Sequence, residues 1–501
     1  MSVDYKLNHQ ADVFFEQLGS MLKKFPPIHY AAIVSEILNE VFTKRELSVR
    51  YPPHFLLHSI QANCIYYNKN RKEELSEKKL QRILNHYKQY FDPVAELYLE
   101  KEDGITPFFI NMARQQFLLQ WGYGGDALGR SVSLFSLGKY PISEKYFKEN
   151  FGMTFNEWLI IGLAVSAYQS KKSQIISPLY FIKSSEKIAP DNVVESFFRE
   201  NSISPVEVKK YHEQVEKKIG KNAALFFDTY LNNLFVEKPM LTLNDSTYLV
   251  VHKQLFIKKV LEGIFDICKK GIPSEFGVEF GKNFERYIGE LLSHFLPSNR
   301  IFTEKQMRQF TDKKVCDFML VLDDYIFLLE SKGVEYSSYT ASEQAMKGDN
   351  STKKISTGFD QLSSVAKMIR EGTFTELIGE SNDKKIIASV VTYKQLYLAN
   401  DDWYFQNNIL PLTKDTDFLV DGFFEYRPQI LSIHELELLL KHCEEKQRSY
   451  FDVFTERLNG VDQFLRGDWY LFLETESNIP FLRDNFDEFF GEVVEKQLKG
   501  G

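Results

Sequence analysis

Asp317, Glu330 and Lys332 lie on two short apolar runs, residues 315–322 and 325–332, separated by the acidic pair Asp323-Asp324. Both runs are rich in β-prone residues, and the two acids between them suit a turn. A two-residue loop pairs Leu322 with Tyr325, and counting outward sets Asp317 opposite Glu330. Opposed residues share a sheet face, with Cβ atoms about 4.5–5.5 Å apart. Lys332, two residues beyond Glu330, returns to that face. Two carboxylates crowded among Phe, Met, Leu, Val and Ile repel each other and resist losing water. A shared proton or a divalent cation relieves them. Mg²⁺ is typically held by one or two carboxylates together with waters and substrate phosphate. A lysine beside it can orient or deprotonate a water, or offset charge building on the phosphate. An ordinary surface hairpin with charge pairs uses the same residue types, so the flanking elements matter.

Upstream, residues 278–292 have helical periodicity, with Phe280, Phe284, Ile288 and Leu291 or Leu292 on one face and Glu285 beside them. Residues 300–307 are expected as a first strand, ahead of the hairpin. Residues 353–371 repeat as a helix through Ile355, Phe359, Leu362, Ala366 and Ile369. The near-continuous apolar run 385–393 is expected as a central strand covered on both faces.

Helix, three strands, helix, strand, with Asp and Glu-x-Lys on the second and third strands, resembles the PD-(D/E)XK nuclease superfamily. The resemblance covers residues 277–395. It implies a restriction-endonuclease-like fold with a mixed central sheet and a Mg²⁺- or Mn²⁺-dependent endonuclease. By position, Asp317 is implied as a metal ligand, Glu330 as the second, and Lys332 as the residue that positions the water. Glu285 matches the helical acid that assists metal binding. Gln361 matches a glutamine that some subfamilies keep near the substrate phosphate, and Lys354 joins it as a substrate-binding residue. Cys316 stands where the motif name has proline.

The chain has 501 residues, 44% hydrophobic and 26% charged, enough for large cores and two or three domains. The expected architecture is multidomain α and α/β. Residues 1–270 form a mostly helical region, through 29–41, 73–90, 108–120, 155–168 and 206–234. Strands 240–243 and 248–251 and a helix 255–268 close it. Residues 271–400 form the nuclease-like core, and 401–501 a mixed α/β extension packing on that core. The start has no secretory pattern, and the best apolar run, 158–167, is far short of a membrane span. Cys64, Cys268, Cys316 and Cys443 are scattered, as reduced thiols of a cytoplasmic protein are.

Net charge −8 and a pI near 5.8 argue against a protein that coats nucleic acid. A local basic groove is still available from Lys305, Arg308, Lys313, Lys314, Lys347, Lys353, Lys354, Lys367 and Arg370. Residues 121–130 are glycine-rich but lack the Gly-Lys-Ser/Thr ending of a phosphate loop, so a flexible turn is expected there. His54 and His58, with Cys64 nearby, lack a further zinc ligand, and His434, His442 and Cys443 are as sparse. The resulting expectation is a phosphodiesterase acting on nucleic acid, DNA ahead of RNA, in bacterial defence against phage or foreign DNA. The helical region would sense a protein trigger, and the chain leaves room for a homo-oligomer. The alternative is a catalytically silent nuclease-fold scaffold or a protein-sensing module.

Overall fold

A computed structural model describes residues 3–68, 72–99, 113, 125–135, 138–171, 174–183, 188–220, 233–335, 350–380, 383–415, 423–460, 468–473 and 478–500. The chain separates into two compact units. One takes Met1–Tyr123, Pro141–Ile272 and Phe489–Gly501; the other takes Gly124–Tyr140 and Pro273–Glu488.

The first unit is mainly helical. Helices Pro27–Thr43 and Pro53–Tyr66 carry proline in their opening turns, where its missing N–H has no helical partner to lose. With Glu77–Leu99 they enclose a core that includes Leu22, Tyr30, Val34, Leu56, Ile60 and Ile83. The expected segments 29–41 and 155–168 fall inside Pro27–Thr43 and Phe155–Lys171. The expected helix 108–120, apart from residue 113, and residues 221–232 of the expected helix 206–234 lie outside the described residues. Four strands make a small mixed sheet in the order β1-β4-β3-β2: β1 (Ile175–Ile176), β2 (Ser202–Ile203), β3 (Met240–Asn244) and β4 (Thr247–Val250). β3 and β4 were expected. β1 and β2, two residues each, are too short to show a period.

The second unit holds a five-stranded mixed sheet in the order β5-β6-β7-β8-β9. β5 (Ile301–Thr303), β6 (Phe318–Val321) and β7 (Tyr325–Lys332) are antiparallel; β8 (Lys385–Thr392) and β9 (Gln429–Ser432) continue parallel to β7. Four longer helices matter to the site's surroundings: α1 (Gly125–Phe135), α2 (Pro273–Phe295), α3 (Asn350–Arg370) and α4 (Ile433–Lys446). Helix α3 falls within the β7–β8 crossover that a parallel pair requires. Helices α2 and α3 cover opposite faces: Gly289 of α2 lies over Phe318, and Gly358 of α3 lies over Glu330 and Val390. A strand covered on both sides should be apolar throughout, and β7 and β8 are almost wholly buried. The predicted faces are the buried ones: Phe280, Phe284, Ile288, Leu291 and Leu292 on α2, and Ile355, Phe359, Leu362, Ala366 and Ile369 on α3.

Two segments depart from expectation. Only Ile301–Thr303 of the expected strand 300–307 is extended; Glu304–Met307 is a helical turn. The Gln306 side chain accepts from the Thr303 amide and hydroxyl, at 2.8 and 2.9 Å, and this starts the turn. The glycine-rich segment 121–130 is not a turn from residue 125 onward, where α1 begins; residues 121–124 lie outside the described residues. A Cβ on Gly129 would sit 2.0 Å from the Leu482 carbonyl oxygen, so glycine there permits close packing. Arg130 of α1 donates to Glu437 of α4 at 2.7 and 2.5 Å, and Tyr287 of α2 donates to the same carboxylate at 2.6 Å. Burial would raise the Glu437 pKa, but Arg130 and His434 beside it hold it at about 2. Among the described residues, no helix is long and apolar enough to cross a membrane.

Candidate metal centre

The hairpin register is the one the two-acid turn dictates. Leu322 N–H donates to the Tyr325 carbonyl at 3.0 Å, and the ladder runs from Val321 opposite Ile326 to Phe318 opposite Leu329. Asp317 lies immediately before β6, one residue beyond the last paired position. The Asp317 carboxylate accepts from the Ser331 amide at 2.7 Å and the Ser331 hydroxyl at 2.6 Å. It is thereby fixed against β7. Lys332 donates to Glu330 and, at 3.0 Å, to Gln361 Oε1.

Glu330 is only 2% exposed, and its second carboxylate oxygen has no hydrogen-bond partner. Burial, then the charge of Asp317, raises its pKa to about 8, although Lys332 beside it pulls the other way. The ion pair therefore compensates the desolvation only in part. Asp317 is also raised by burial, opposed chiefly by its bonds from Ser331. A buried carboxylate with an orphaned oxygen, next to another acid, suits a proton or a hard cation.

Two further acids approach from other elements. One carboxylate oxygen each from Glu285, Glu304 and Asp317 lie within 4.8 Å of one another, among the described residues the one such group of three metal-ligating side chains. Glu285 is on α2, and burial followed by Asp317 and Glu304 raises its pKa to about 7. Glu304 opens the turn after β5. Its amide donates to the Asp317 carbonyl at 2.9 Å, and Arg308 donates to its carboxylate at 2.6 Å. Glu285, Glu304 and Asp317 fit a divalent cation in donor chemistry and spacing, as three half-buried hard oxygen ligands, and buried Glu330 with its unpartnered oxygen lies outside that group of three.

The sequence reading missed Glu304 and Ser331. Thr303-x-x-Gln306 is a capping-box pattern, and that signal was available for the turn that turns Glu304 toward Asp317. Nothing in the sequence marks Ser331. Gln361 does reach the site, through Lys332 and through Nε2, which donates to the Val315 carbonyl at 3.3 Å. Lys354 is exposed on α3, seven residues before Gln361 and so on a similar helix face. The suggested basic groove is thinner than its list of cations. Lys367 pairs with Asp415 at 2.7 Å, Arg370 donates to the Lys384 carbonyl at 2.7 Å, and Arg308 holds Glu304. Lys305, Lys313, Lys314 and Lys353 are exposed, and Lys347 lies outside the described residues. Burial lowers the pKa of His54 to about 3 and of His58 to about 4. No family model, curated protein or solved structure matches this chain.

Proposed function

We propose that this chain is a metal-dependent phosphodiesterase that hydrolyses nucleic acid, DNA ahead of RNA, on a restriction-endonuclease-like core resembling the PD-(D/E)XK superfamily. One observation carries the reading: Glu330 is buried with an unpartnered oxygen close enough to Asp317 to feel its charge, and Lys332 on the same strand donates to it. The element order and the approach of Glu285 and Glu304 support it. Asp317, Glu330, Glu285 and Glu304 would hold Mg²⁺ or Mn²⁺, which supplies Lewis-acid stabilisation of the phosphate and a more acidic water. Ser331 keeps Asp317 turned toward the site. Lys332 directs an N–H at the attacking water and offsets charge on the phosphate. The helical unit would carry recognition of a protein trigger, as a bacterial defence effector requires; this part rests on analogy.

A catalytically silent scaffold is the second reading, and the Lys332–Glu330 ion pair favours it, since that pair satisfies one carboxylate oxygen without a metal. Incubation with supercoiled plasmid, linear duplex, single strands and RNA, in Mg²⁺, Mn²⁺ or EDTA, separates the two. Hydrolysis should require the ion and fall at least about a hundredfold in Asp317→Ala and Lys332→Ala. Undiminished cleavage in either variant contradicts the assignment.

A further inference from the structure

The Gln361 amide is engaged at both ends, by Lys332 at Oε1 and by the Val315 carbonyl at Nε2. Chemistry fixes its orientation, because an ammonium can only donate and a carbonyl can only accept. Its two partners belong to the two chain segments that carry the chemistry. Lys332 ends β7, and buried Val315 lies two residues before Asp317. The helix that presents Gln361 is itself held close. A Cβ on Gly358, one turn earlier, would come 2.9 Å from Val390 Cγ2 and 3.5 Å from Glu330 Cγ and Lys332 Cε.

A lysine side chain is long and flexible, with three N–H groups on a tetrahedral nitrogen. One acceptor, Glu330, leaves the other two N–H groups free to rotate about that bond. A second acceptor removes the rotation and gives the third N–H a defined direction. We propose that Gln361 is a positioning residue that aims Lys332, and not a ligand of the substrate phosphate. The inference rests on the phosphodiesterase reading and changes the role that resemblance assigned to this glutamine.

Steady-state kinetics of Gln361→Met and Gln361→Glu decide between the roles. Methionine has the same reach and neither polar atom; glutamate keeps the acceptor for Lys332 and loses the donor to Val315. Positioning predicts that Met lowers kcat about tenfold at unchanged KM, the loss expected for one charge-assisted hydrogen bond, and that Glu retains most of the activity. A phosphate-binding role predicts the reverse order, with a raised KM and Glu the worse because it adds negative charge. A lowered Tm with unchanged kcat in both variants overturns the proposal in favour of a purely structural role. Acylation of Lys332, followed by mass spectrometry, reads the contact without catalysis: Met should label several-fold faster than wild type or Glu, and equal rates overturn the proposal. A wild type that is inert on every nucleic acid and also binds no Mn²⁺ by calorimetry removes the phosphodiesterase reading, and the catalytic role of Gln361 with it. An active wild type with an unaffected Met variant removes only the role of Gln361.

Discussion

At the residue scale, the site is built on carboxylates that the fold discourages from ionising. Glu330 at about 8 and Glu285 at about 7 both titrate above an ordinary glutamate, because burial and neighbouring acids favour their neutral forms. Between about pH 4.5 and 8 these two groups bind more protons in the metal-free folded chain than in the unfolded chain, so their contribution to stability is lost as pH rises through that window. Thermal melts in EDTA should show the Tm of wild type falling relative to that of Glu330→Gln as pH rises from 6 to 8, and a constant difference would contradict the raised Glu330 pKa. Cation uptake needs the ionised forms, so Mn²⁺ affinity should rise from pH 6 to 8 with release of protons, read by calorimetry in buffers of different ionisation enthalpy. Glu304→Gln should weaken Mn²⁺ binding about ten- to a hundredfold in the same titration. An unchanged affinity would leave Glu304 as no more than the partner of Arg308. That Glu330 and Lys332 share a face was legible because a strand has a period of two, whereas Asp317 precedes β6 and is held by Ser331. Ser331 was not legible, since its amide and hydroxyl serve Asp317 through a local geometry that no spacing rule reports.

The elements show which sequence signals survive folding. The stripes on α2 and α3 and the unbroken apolar run of β8 were readable because burial on one or both faces leaves a period or its absence. The run 300–307 was misread: its β-prone start hides a capping residue, and Thr303 with Gln306 breaks the strand after three residues. That break turns Glu304 toward Asp317. Strand β9 is four residues long and its pairing with β8 is non-local, so its place in the sheet left no trace in the sequence. Helix α3 makes the sharpest prediction at this scale. Gly358→Ala brings a methyl group within 2.9 Å of Val390 Cγ2 and must lift the helix or distort the strand. It should cost about 1–3 kcal/mol in denaturant unfolding, and should lower hydrolysis as well, because Gln361 and Lys332 move with it. Unchanged unfolding would show that α3 does not press on the site.

At the scale of the whole molecule, the unit that holds the sheet also draws on residues 124–140, far upstream of Pro273. The Arg130–Glu437 pair, with Tyr287 on the same carboxylate, ties α1 to α2 and α4 inside that unit. No sequence pattern announces such a pair, since its partners are 307 residues apart. Glu437→Gln leaves Arg130 buried with a weakened partner and should cost about 3–5 kcal/mol of that unit's stability in chemical denaturation. Because Glu437 is held at about 2, its contribution is present above an ordinary glutamate pKa and is lost as pH falls toward 2. The central claim, however, is that Asp317 and Glu330 share a cation, and diffraction tests it most directly. Anomalous scattering from crystals of the full chain soaked in Mn²⁺ should give a peak within coordination distance of both carboxylates, lost in Asp317→Asn. Crystals showing no manganese there, with Lys332 still bound to Glu330, would contradict the account.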